Sequence, residues 1–391
     1  MTTAAPTGPT DPAVLVLIGT LAYGGAENQA SLLAAALPAR GIRTRVACFG
    51  AEPGRREEMA AAGVAVDLLP VGGHGWWPLR VGPHILGLVR RHRVGLVQAF
   101  LPSFDILAPV LRLARPGLRV VTSRRNVDEA IPPRQLRLMR LTSRLAQAVV
   151  GNSEAVAASV RRLETLPEER LRVIPNGMVL PPALAPAERA AGRRALDLGD
   201  EDLVVLYLAH FREGKGHRHL PEVVRISAER EPRARFVVVG DMASNSRYRR
   251  NAAAFRAALD AAGLAARVRL PGLTSETRPL YAAADVVLNL SDHEGMSNVI
   301  MEAMGAGLPV VATATGAASE LLRDGQEGYV VPCGDAPAAA ERLLALFRDP
   351  ALRRRLGEAG RGRIARDYGV DRMADAYAHL YRELLAGHGT E

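Results

Sequence analysis

The chain has 391 residues, 48% of them apolar, and its 50 basic side chains outnumber its 41 acidic side chains by nine. This length predicts two domains, each large enough to bury a core of its own. The composition excludes a disordered chain, a collagen and a disulfide scaffold, because Cys48 and Cys333 are the only cysteines. So few cysteines predict a reducing cytoplasm, and no run approaches the ~20 apolar residues of a membrane span.

The positive charge is concentrated in the first half of the chain. Residues 1–180 contain 22 basic and 13 acidic side chains, whereas residues 181–391 contain 28 of each. This asymmetry indicates an anionic partner, such as nucleic acid, an acidic membrane surface or a phosphorylated substrate, or else a solvated arginine surface. Lys215 is the single lysine beside 49 arginines, so its presence calls for a chemical reason.

Short apolar runs alternate with helical patterns along the first half. Residues 1–12 are polar and rich in proline, and they predict a flexible tail. Helices are predicted between the strands, for example at 27–37 and 135–146. Buried strands are predicted at 14–18, 44–49, 96–100, 120–123 and 148–151. Repeated alternation of strand and helix is typical of a doubly wound parallel sheet.

A second series of strands follows a Pro-rich segment at 179–186, VLPPALAP. These strands are predicted at 204–208, 235–239, 268–270, 286–290, 310–312 and 328–331. We therefore predict an α/β protein with two doubly wound Rossmann-like domains that face each other across a cleft, at 13–182 and 183–368. A long arginine-rich helical pattern at 353–385 ends the chain. We expect its last part, 369–391, to pack back on the first domain.

The clearest chemical pattern lies at 285–313, DVVLNLSDHEGMSNVIMEAMGAGLPVVAT. A predicted strand ends in a polar loop that contains Glu294, and Glu302 lies eight positions later in a predicted helix. Gly295 allows close approach to a ligand, and the amides of Gly295, Met296 and Ser297 lie at a helix N-terminus, which suits an anion or a sugar hydroxyl. A carboxylate can accept two hydrogen bonds from a vicinal diol such as a ribose.

The segment EGMSNVIMEAMGAGLPVVAT at 294–313 closely resembles the E-x7-E signature of glycosyltransferase family 4, whose members are retaining enzymes with the GT-B fold. Further landmarks resemble that family in the same order: YGGAE (23–27), VVGNSEAV (149–156), VIPNGM (173–178), LAHFREGKGH (208–217), FVVVGD (236–241) and LPGLTSETRPLYAAADV (270–286). The resemblance covers residues 14–385. It implies the GT-B fold and a nucleotide-diphosphate sugar as donor substrate.

The resemblance also implies roles for individual residues. Glu302 would bind the ribose hydroxyls, and Glu294 would hold hydroxyls of the transferred sugar. Lys215 would contact the diphosphate, where negative charge develops as the glycosidic bond breaks. The other implied donor-binding residues are Gly24, Gly25, His210, Gly295, Met296, Ser297 and Asn298.

Two positions depart from the family pattern. The family usually has an arginine five residues before the lysine, where this chain has His210, so either His210 or Arg212 would replace it. The family often has histidines on the acceptor side, where this chain has Gln98 and the run Arg124, Arg125 and Asn126. Two arginines there predict an anionic acceptor or, equally, a structural ion pair.

No metal site is predicted. The run at 200–202 resembles an acidic metal-binding triplet but fits solvated loop charges, and His217 and His219 are expected to flank a helix start. Positive side chains and helix N-termini can replace a metal at a diphosphate, so no metal or other cofactor is expected.

Membrane contact is a further hypothesis. A basic helix face and two aromatic residues would suit the anionic inner face of the cell membrane. The residues involved are Arg134, Arg137, Arg140 and Arg144, with Trp76 and Trp77 beside Arg80. We therefore expect a cytoplasmic protein, with peripheral attachment to the inner face of the membrane as an alternative.

The leading hypothesis is a retaining transfer of a sugar from a nucleotide-diphosphate donor to a hydroxyl acceptor, in polysaccharide, glycolipid or lipid-linked saccharide synthesis. Alternatives are transfer to a small natural product, a sugar-nucleotide epimerase of the same architecture, and a catalytically silent binding subunit. Nucleic-acid binding is not expected, because the basic residues match no recognition motif.

Overall fold

The computed structural model describes residues 12–22, 24–70, 77–127 and 131–386. The chain divides into two compact units. The first unit comprises Met1–Met178 and Tyr368–Glu391, and the second comprises Val179–Asp367.

The first unit contains a sheet of seven parallel strands. In sheet order they run β3-β2-β1-β4-β5-β6-β7. Their bounds are β1 Ala13–Leu17, β2 Thr44–Cys48, β3 Ala65–Leu68, β4 Val94–Phe100, β5 Arg119–Arg124, β6 Ala148–Gly151 and β7 Leu171–Val173. The five predicted strands are confirmed. The two strands that the sequence did not predict, β3 and β7, are the edge strands, which are short and partly exposed.

Six helices follow the strands of this sheet, and three of them begin with proline, whose fixed φ suits the first helical turn. Their bounds are α1 Gly25–Ala36, α2 Pro53–Ala61, α3 Trp77–Arg91, α4 Pro102–Val110, α5 Pro133–Ser143 and α6 Glu154–Leu163. The central strands are buried on both faces, so their residues form continuous apolar runs.

The second unit contains a sheet of six parallel strands in the order β10-β9-β8-β11-β12-β13. Their bounds are β8 Leu203–Leu208, β9 Ala234–Val239, β10 Val268–Gly272, β11 Val286–Asn289, β12 Val310–Thr313 and β13 Gly328–Val331. All six were predicted. The helices of this unit are α7 Pro186–Ala195, α8 Leu220–Arg230, α9 Ser246–Ala261, α10 Arg278–Ala283, α11 Asn298–Gly305, α12 Ala318–Leu321, α13 Ala336–Arg348 and α14 Pro350–Asp367.

The segment predicted as helical at 353–385 is divided into two helices in the structure. Helix α14 ends at Asp367, and a separate helix, α15, spans Val370–Ala386. Between them the Met178 amide donates to the Tyr368 carbonyl at 2.9 Å, and the Val370 amide donates to the Met178 carbonyl at 3.0 Å. These bonds replace helical ones and bring α15 into the first unit. There it packs on α1, and its Tyr377 and Tyr381 join the buried core.

Candidate functional site

Two loops of the second unit bring the predicted lysine and the first predicted glutamate together. Lys215 lies in the loop after β8, and Glu294 lies in the loop after β11. The Lys215 Nζ atom donates to Glu294 Oε2 at 2.5 Å. Only 19% of the lysine side chain and 15% of the glutamate side chain are exposed. Because neighbouring parallel strands end at the same edge of a sheet, both charges lie at the carboxyl edge, where open α/β sheets bind ligands.

Close backbone packing holds the Lys215 loop against the β11 loop. Gly216 has φ +76°, and a Cβ atom there would lie 1.9 Å from the Leu290 carbonyl oxygen, so only glycine fits. The Asp292 amide donates to the Gly214 carbonyl at 2.8 Å. The Tyr207 hydroxyl donates to the Lys215 carbonyl from inside the core. These contacts fix the backbone of the Lys215 loop, and the loop in turn positions the lysine side chain beside Glu294.

The backbone after Glu294 is fixed from its other side. Gly316 has φ +49°, and a Cβ atom there would lie 1.8 Å from the Glu294 carbonyl oxygen. The Ala317 amide donates to the Gly295 carbonyl at 2.9 Å. Ser297 is the N-cap residue of α11, and both Met296 and Ser297 are buried. The residues that follow Glu294 thus lead directly into a helix N-terminus, a favourable place for negative charge.

Glu302 lies within α11 and has a partner that the sequence pattern did not reveal. The Tyr281 hydroxyl, on α10, donates to Glu302 Oε2 at 2.9 Å. Burial raises the pKa of Glu302, and the hydrogen bond from Tyr281 lowers it in part. Tyr281 belongs to the family landmark at 270–286, but no local signal links it to Glu302, because the contact depends on how α10 packs beside α11.

His210 and Arg212, the two candidates for the missing arginine, differ in charge. His210 Nδ1 accepts from the Asp241 amide at 3.1 Å, so the proton of the neutral ring lies on Nε2. Burial lowers the pKa of His210, and the Asp241 carboxylate offsets only part of this. Arg212 is exposed and has no side-chain hydrogen bond or ion pair within the described residues. The neutral His210 therefore lacks the positive charge of the missing arginine, whereas Arg212, in the same loop, has a guanidinium group.

Arg124, one of the predicted acceptor-side residues, is a buried ion-pair centre. Its guanidinium donates to both carboxylate oxygens of Glu164, at 2.6 and 2.9 Å, and its Nη1 lies 3.1 Å from Asp105 Oδ2. The side chain is only 2% exposed. Burial raises the pKa of Glu164, but the charge of Arg124 outweighs it and holds that pKa below its usual value. Of the two readings of Arg124 that the sequence allows, these contacts favour the structural ion pair.

Replacement of Arg124 by methionine is expected to destabilise the first unit by about 3–5 kcal/mol, because it leaves two buried carboxylates without their cation. Urea unfolding would measure the loss. The matched control is Arg161→Met, which breaks a pair of half-exposed side chains with Glu168 and is expected to change the midpoint little. Equal midpoints for wild type and Arg124→Met would contradict the structural role.

The other acceptor-side residues lie on or just after β4 and β5 of the first sheet. Gln98 is fully buried, donates to Ser123 Oγ at 2.8 Å and accepts from the Tyr381 hydroxyl of α15 at 2.9 Å. Arg125 Nη2 donates to Asn176 Oδ1 at 2.6 Å, and its guanidinium lies 5.4 Å from the Phe100 ring centre. Asn126 is exposed. Arg125 and Asn126 are therefore the more accessible members of this group.

The remaining predicted site residues lie at helix ends. Gly24 is the N-cap residue of α1 and Gly25 is its first residue, both in the first unit. Asn298 begins α11. His219, which was expected near a helix start rather than at the site, is the N-cap residue of α8. Within the described residues, no three His, Cys, Asp or Glu side chains are grouped so that they could hold a metal ion. None of the described helices combines the length and the apolar character required to cross a membrane.

Two family models match most of the sequence. Residues 23–180 match the model described as Glycosyltransferase Family 4, and residues 202–349 match the one described as Glycosyl transferases group 1. The chain belongs to glycosyltransferase family 4. Both matches include predicted site residues, with Gly24 in the first and Lys215, Glu294 and Glu302 in the second.

Curated relatives of this family 4 chain include transferases with different acceptors in their names. It is 31% identical over 241 residues to the lipopolysaccharide core biosynthesis glycosyltransferase LpsE of Rhizobium meliloti, covering 61% of this chain and 64% of LpsE. It is 33% identical over 228 residues to a D-inositol 3-phosphate glycosyltransferase of Streptomyces griseus, covering 56% of this chain and 48% of the relative. The chain thus spans about half to two thirds of these relatives.

Solved structures show the same fold over nearly the whole family 4 chain. Anabaena HepE in complex with UDP-glucose has a TM-score of 0.84 at 21% identity, covering 95% of this chain and 99% of HepE. WaaG, a glycosyltransferase involved in lipopolysaccharide biosynthesis, has a TM-score of 0.73 at 18% identity, covering 94% of this chain and 99% of WaaG. The two parallel-sheet α/β units are those of the GT-B fold.

Proposed function

We propose that this protein is a retaining glycosyltransferase that moves a sugar from a nucleotide-diphosphate donor to a hydroxyl acceptor in polysaccharide, glycolipid or lipid-linked saccharide synthesis. The observation that carries the proposal is the Lys215–Glu294 pair, fixed between a glycine loop and a helix N-terminus at the carboxyl edge of the second sheet. The names of LpsE and WaaG, both of which refer to lipopolysaccharide biosynthesis, support a saccharide acceptor of the cell envelope.

The geometry of the pair explains how it would hold a donor. The Lys215 ammonium has three protons, so it can keep its bond to Glu294 and also donate to a diphosphate oxygen. Glu294 has a second carboxylate oxygen for the hydroxyls of the transferred sugar. Arg212 supplies a second positive charge, and the neutral His210 can donate from Nε2. Glu302 would accept hydrogen bonds from the ribose hydroxyls, with Tyr281 fixing its orientation.

The proposed reaction keeps the configuration of the anomeric carbon. The bond between that carbon and the diphosphate oxygen breaks, and the acceptor oxygen forms its bond on the same face. The acceptor proton passes to the departing phosphate oxygen, which carries the electron pair of the broken bond. Lys215 and Arg212 stabilise the negative charge that develops there. Glu294 is already engaged by Lys215, so it serves to orient the sugar rather than to attack it.

A donor screen followed by a transfer assay tests the proposal. Because a ligand that binds only the folded state raises the melting temperature, we expect one nucleotide among UDP-, GDP-, ADP- and TDP-sugars to raise it most. The donor selected in this way should lose its sugar to an envelope saccharide acceptor with the anomeric configuration retained. Incubation with donor alone that yields an epimer, or a product of inverted configuration, would overturn the proposal.

The Tyr281–Glu302 hydrogen bond predicts a pH effect on nucleotide binding. The ionised carboxylate is the form that accepts two ribose hydroxyls, so affinity falls as the pH drops through the pKa of Glu302. Tyr281→Phe removes the bond that lowers this pKa, and the loss of affinity should therefore begin at a higher pH than in the wild type.

Calorimetric titration of the nucleotide between pH 4.5 and pH 8 would measure the shift. Tyr329→Phe is the matched control, because it removes a half-buried tyrosine hydroxyl of the same unit away from Glu302. If the affinities of Tyr281→Phe and Tyr329→Phe follow the same pH curve, Glu302 is not the ribose ligand.

We also propose that the enzyme is cytoplasmic and binds the anionic inner face of the cell membrane through α5. Leu138 and Leu141 are 51% and 64% exposed on this helix, and Arg134 and Arg137 are exposed beside them. Arg140 donates to the Leu163 carbonyl, so part of its hydrogen-bonding capacity is used within the protein. Trp76 lies outside the described residues, and the side chain of Trp77 is likewise not described.

Replacement of both Leu138 and Leu141 by glutamine should weaken binding to vesicles that contain phosphatidylglycerol by roughly tenfold, since two exposed leucines lose their burial in the lipid. Vesicle sedimentation at two salt concentrations would separate this apolar contribution from the charge of the arginines. The control is Leu273→Gln, an equally exposed leucine of the second unit. Unchanged sedimentation of the double variant would refute the α5 surface.

A further inference from the structure

A basic cavity lies at the amino edge of the first sheet, the edge opposite to its acceptor-side residues. Its lining includes Ala13, Thr44 and Ala65, the first residues of β1, β2 and β3, and the turn that leads from α3 into β4. Its volume is about 480 Å³, within the range of small-molecule sites. The proposed transfer reaction makes no use of it.

The charge of this cavity is strongly one-sided. Its twelve described lining residues include four arginines and one histidine, and none of the twelve is acidic. Arg45 is neutralised in part, because it donates to both oxygens of Asp67 at 2.9 Å. Burial and then the charge of Arg45 lower the pKa of His92, and Arg91 and Arg43 lower it further. The charge of Asp67 offsets this effect only in part, so the cavity has a net positive field.

Two of the arginines are available to a ligand. Arg91 and Arg93 are exposed, and neither makes a side-chain hydrogen bond or ion pair within the described parts of the chain. Arg93 follows the C-terminus of α3 with φ +52°, in the left-handed region where glycine or asparagine is usual. A residue without a large side chain would be usual at this position after a helix. Here the position is occupied by an arginine, which lines the cavity.

We propose that this cavity binds a small phosphate-bearing anion, held chiefly by the guanidinium groups of Arg91 and Arg93. Guanidinium forks match the oxygens of phosphate in paired hydrogen bonds, and several arginines favour a multiply charged ligand. A soluble ligand fits better than a membrane surface, because none of the large apolar side chains that are exposed in the described part of the chain lines the cavity. The site lies within the first unit and is independent of the proposed donor site.

Pyrophosphate is the probe, titrated by calorimetry into the full chain carrying Lys215→Ala, which removes competition from the proposed donor site. We expect one-to-one binding that weakens at least tenfold when Arg91→Gln and Arg93→Asn are added, asparagine being chosen because it tolerates positive φ. The matched control adds Arg90→Gln and Arg115→Gln, two exposed arginines outside the cavity, and should stay within twofold.

Three outcomes would overturn the proposal: no binding to the Lys215→Ala chain, equal weakening by the cavity and control pairs, or no weakening by the cavity pair. If the double variant does not fold, Arg91→Gln alone supplies the test, since Arg91 is exposed at a helix end. Arginine modification with phenylglyoxal gives a second readout, in which pyrophosphate should protect Arg91 and Arg93 but not Arg90. Vesicles containing phosphatidic acid should bind the cavity and control variants equally, because the proposed ligand is a soluble anion. Weaker vesicle binding by the cavity variant alone would point to a lipid headgroup and contradict this.

Discussion

Replacement of Glu294 by glutamine is expected to lower turnover by about 10³-fold while nucleotide affinity stays within severalfold of the wild type. Glutamine keeps the size of the side chain but loses the negative charge that pairs with Lys215 at 2.5 Å and that would orient the hydroxyls of the transferred sugar in the proposed complex. The nucleotide contacts Lys215, Arg212 and Glu302 in the proposed complex, so its binding does not depend on this carboxylate.

Steady-state turnover and nucleotide titration on the same preparation would separate the two effects. Glu213→Gln is the matched control, because Glu213 is an exposed acid in the Lys215 loop and has no side-chain partner among the described residues. Its turnover should stay near the wild-type value. Turnover of Glu294→Gln close to that of Glu213→Gln would remove Glu294 from the site.

Most of the fold follows from local sequence pattern. The buried strands are mainly apolar runs rich in valine, and eleven of the thirteen strands were predicted. The missed strands, β3 and β7, have four and three residues at sheet edges, too few to establish a pattern. The hydrogen bonds with Met178 at the break between α14 and α15 could not be predicted, because Met178 is remote in sequence.

The sequence pointed to the residues of the candidate site, but it did not predict the contacts that these residues make with one another. Because Lys215 and Glu294 both follow buried strands, the sequence indicates that they lie at the same edge of the sheet. Their ion pair also depends on the close packing of the Lys215 loop against the Leu290 carbonyl, which Gly216 allows. The sequence also could not decide whether Arg124 binds an anionic acceptor or forms a structural ion pair, because its partners Asp105 and Glu164 come from α4 and from the end of α6. These contacts are determined by tertiary packing, which cannot be predicted from the local sequence.

Replacement of Lys215 by methionine is expected to lower kcat by about 10²–10³-fold and to raise the KM of the donor, because it removes the cation that would lie nearest to the departing diphosphate in the proposed complex. Arg212→Met is the comparison, since it removes a positive charge from the same loop without touching Glu294. If Arg212 supplies the second charge, its variant should lose activity as well, but less than Lys215→Met. An unaffected Arg212→Met would leave His210 to replace the family arginine.

Lys215→Arg is the sharper variant, because it keeps the charge in a chain that uses arginine at 49 other basic positions. The ammonium lies 2.5 Å from Glu294, and the next residue, Gly216, packs closely against the Leu290 carbonyl, so we do not expect the planar guanidinium to reproduce the same contact. Recovery of less than a tenth of wild-type kcat is therefore expected, measured at saturating donor. Wild-type turnover of Lys215→Arg would mean that any positive charge suffices at this position, and that the chemistry of the site does not explain why the chain has a lysine there.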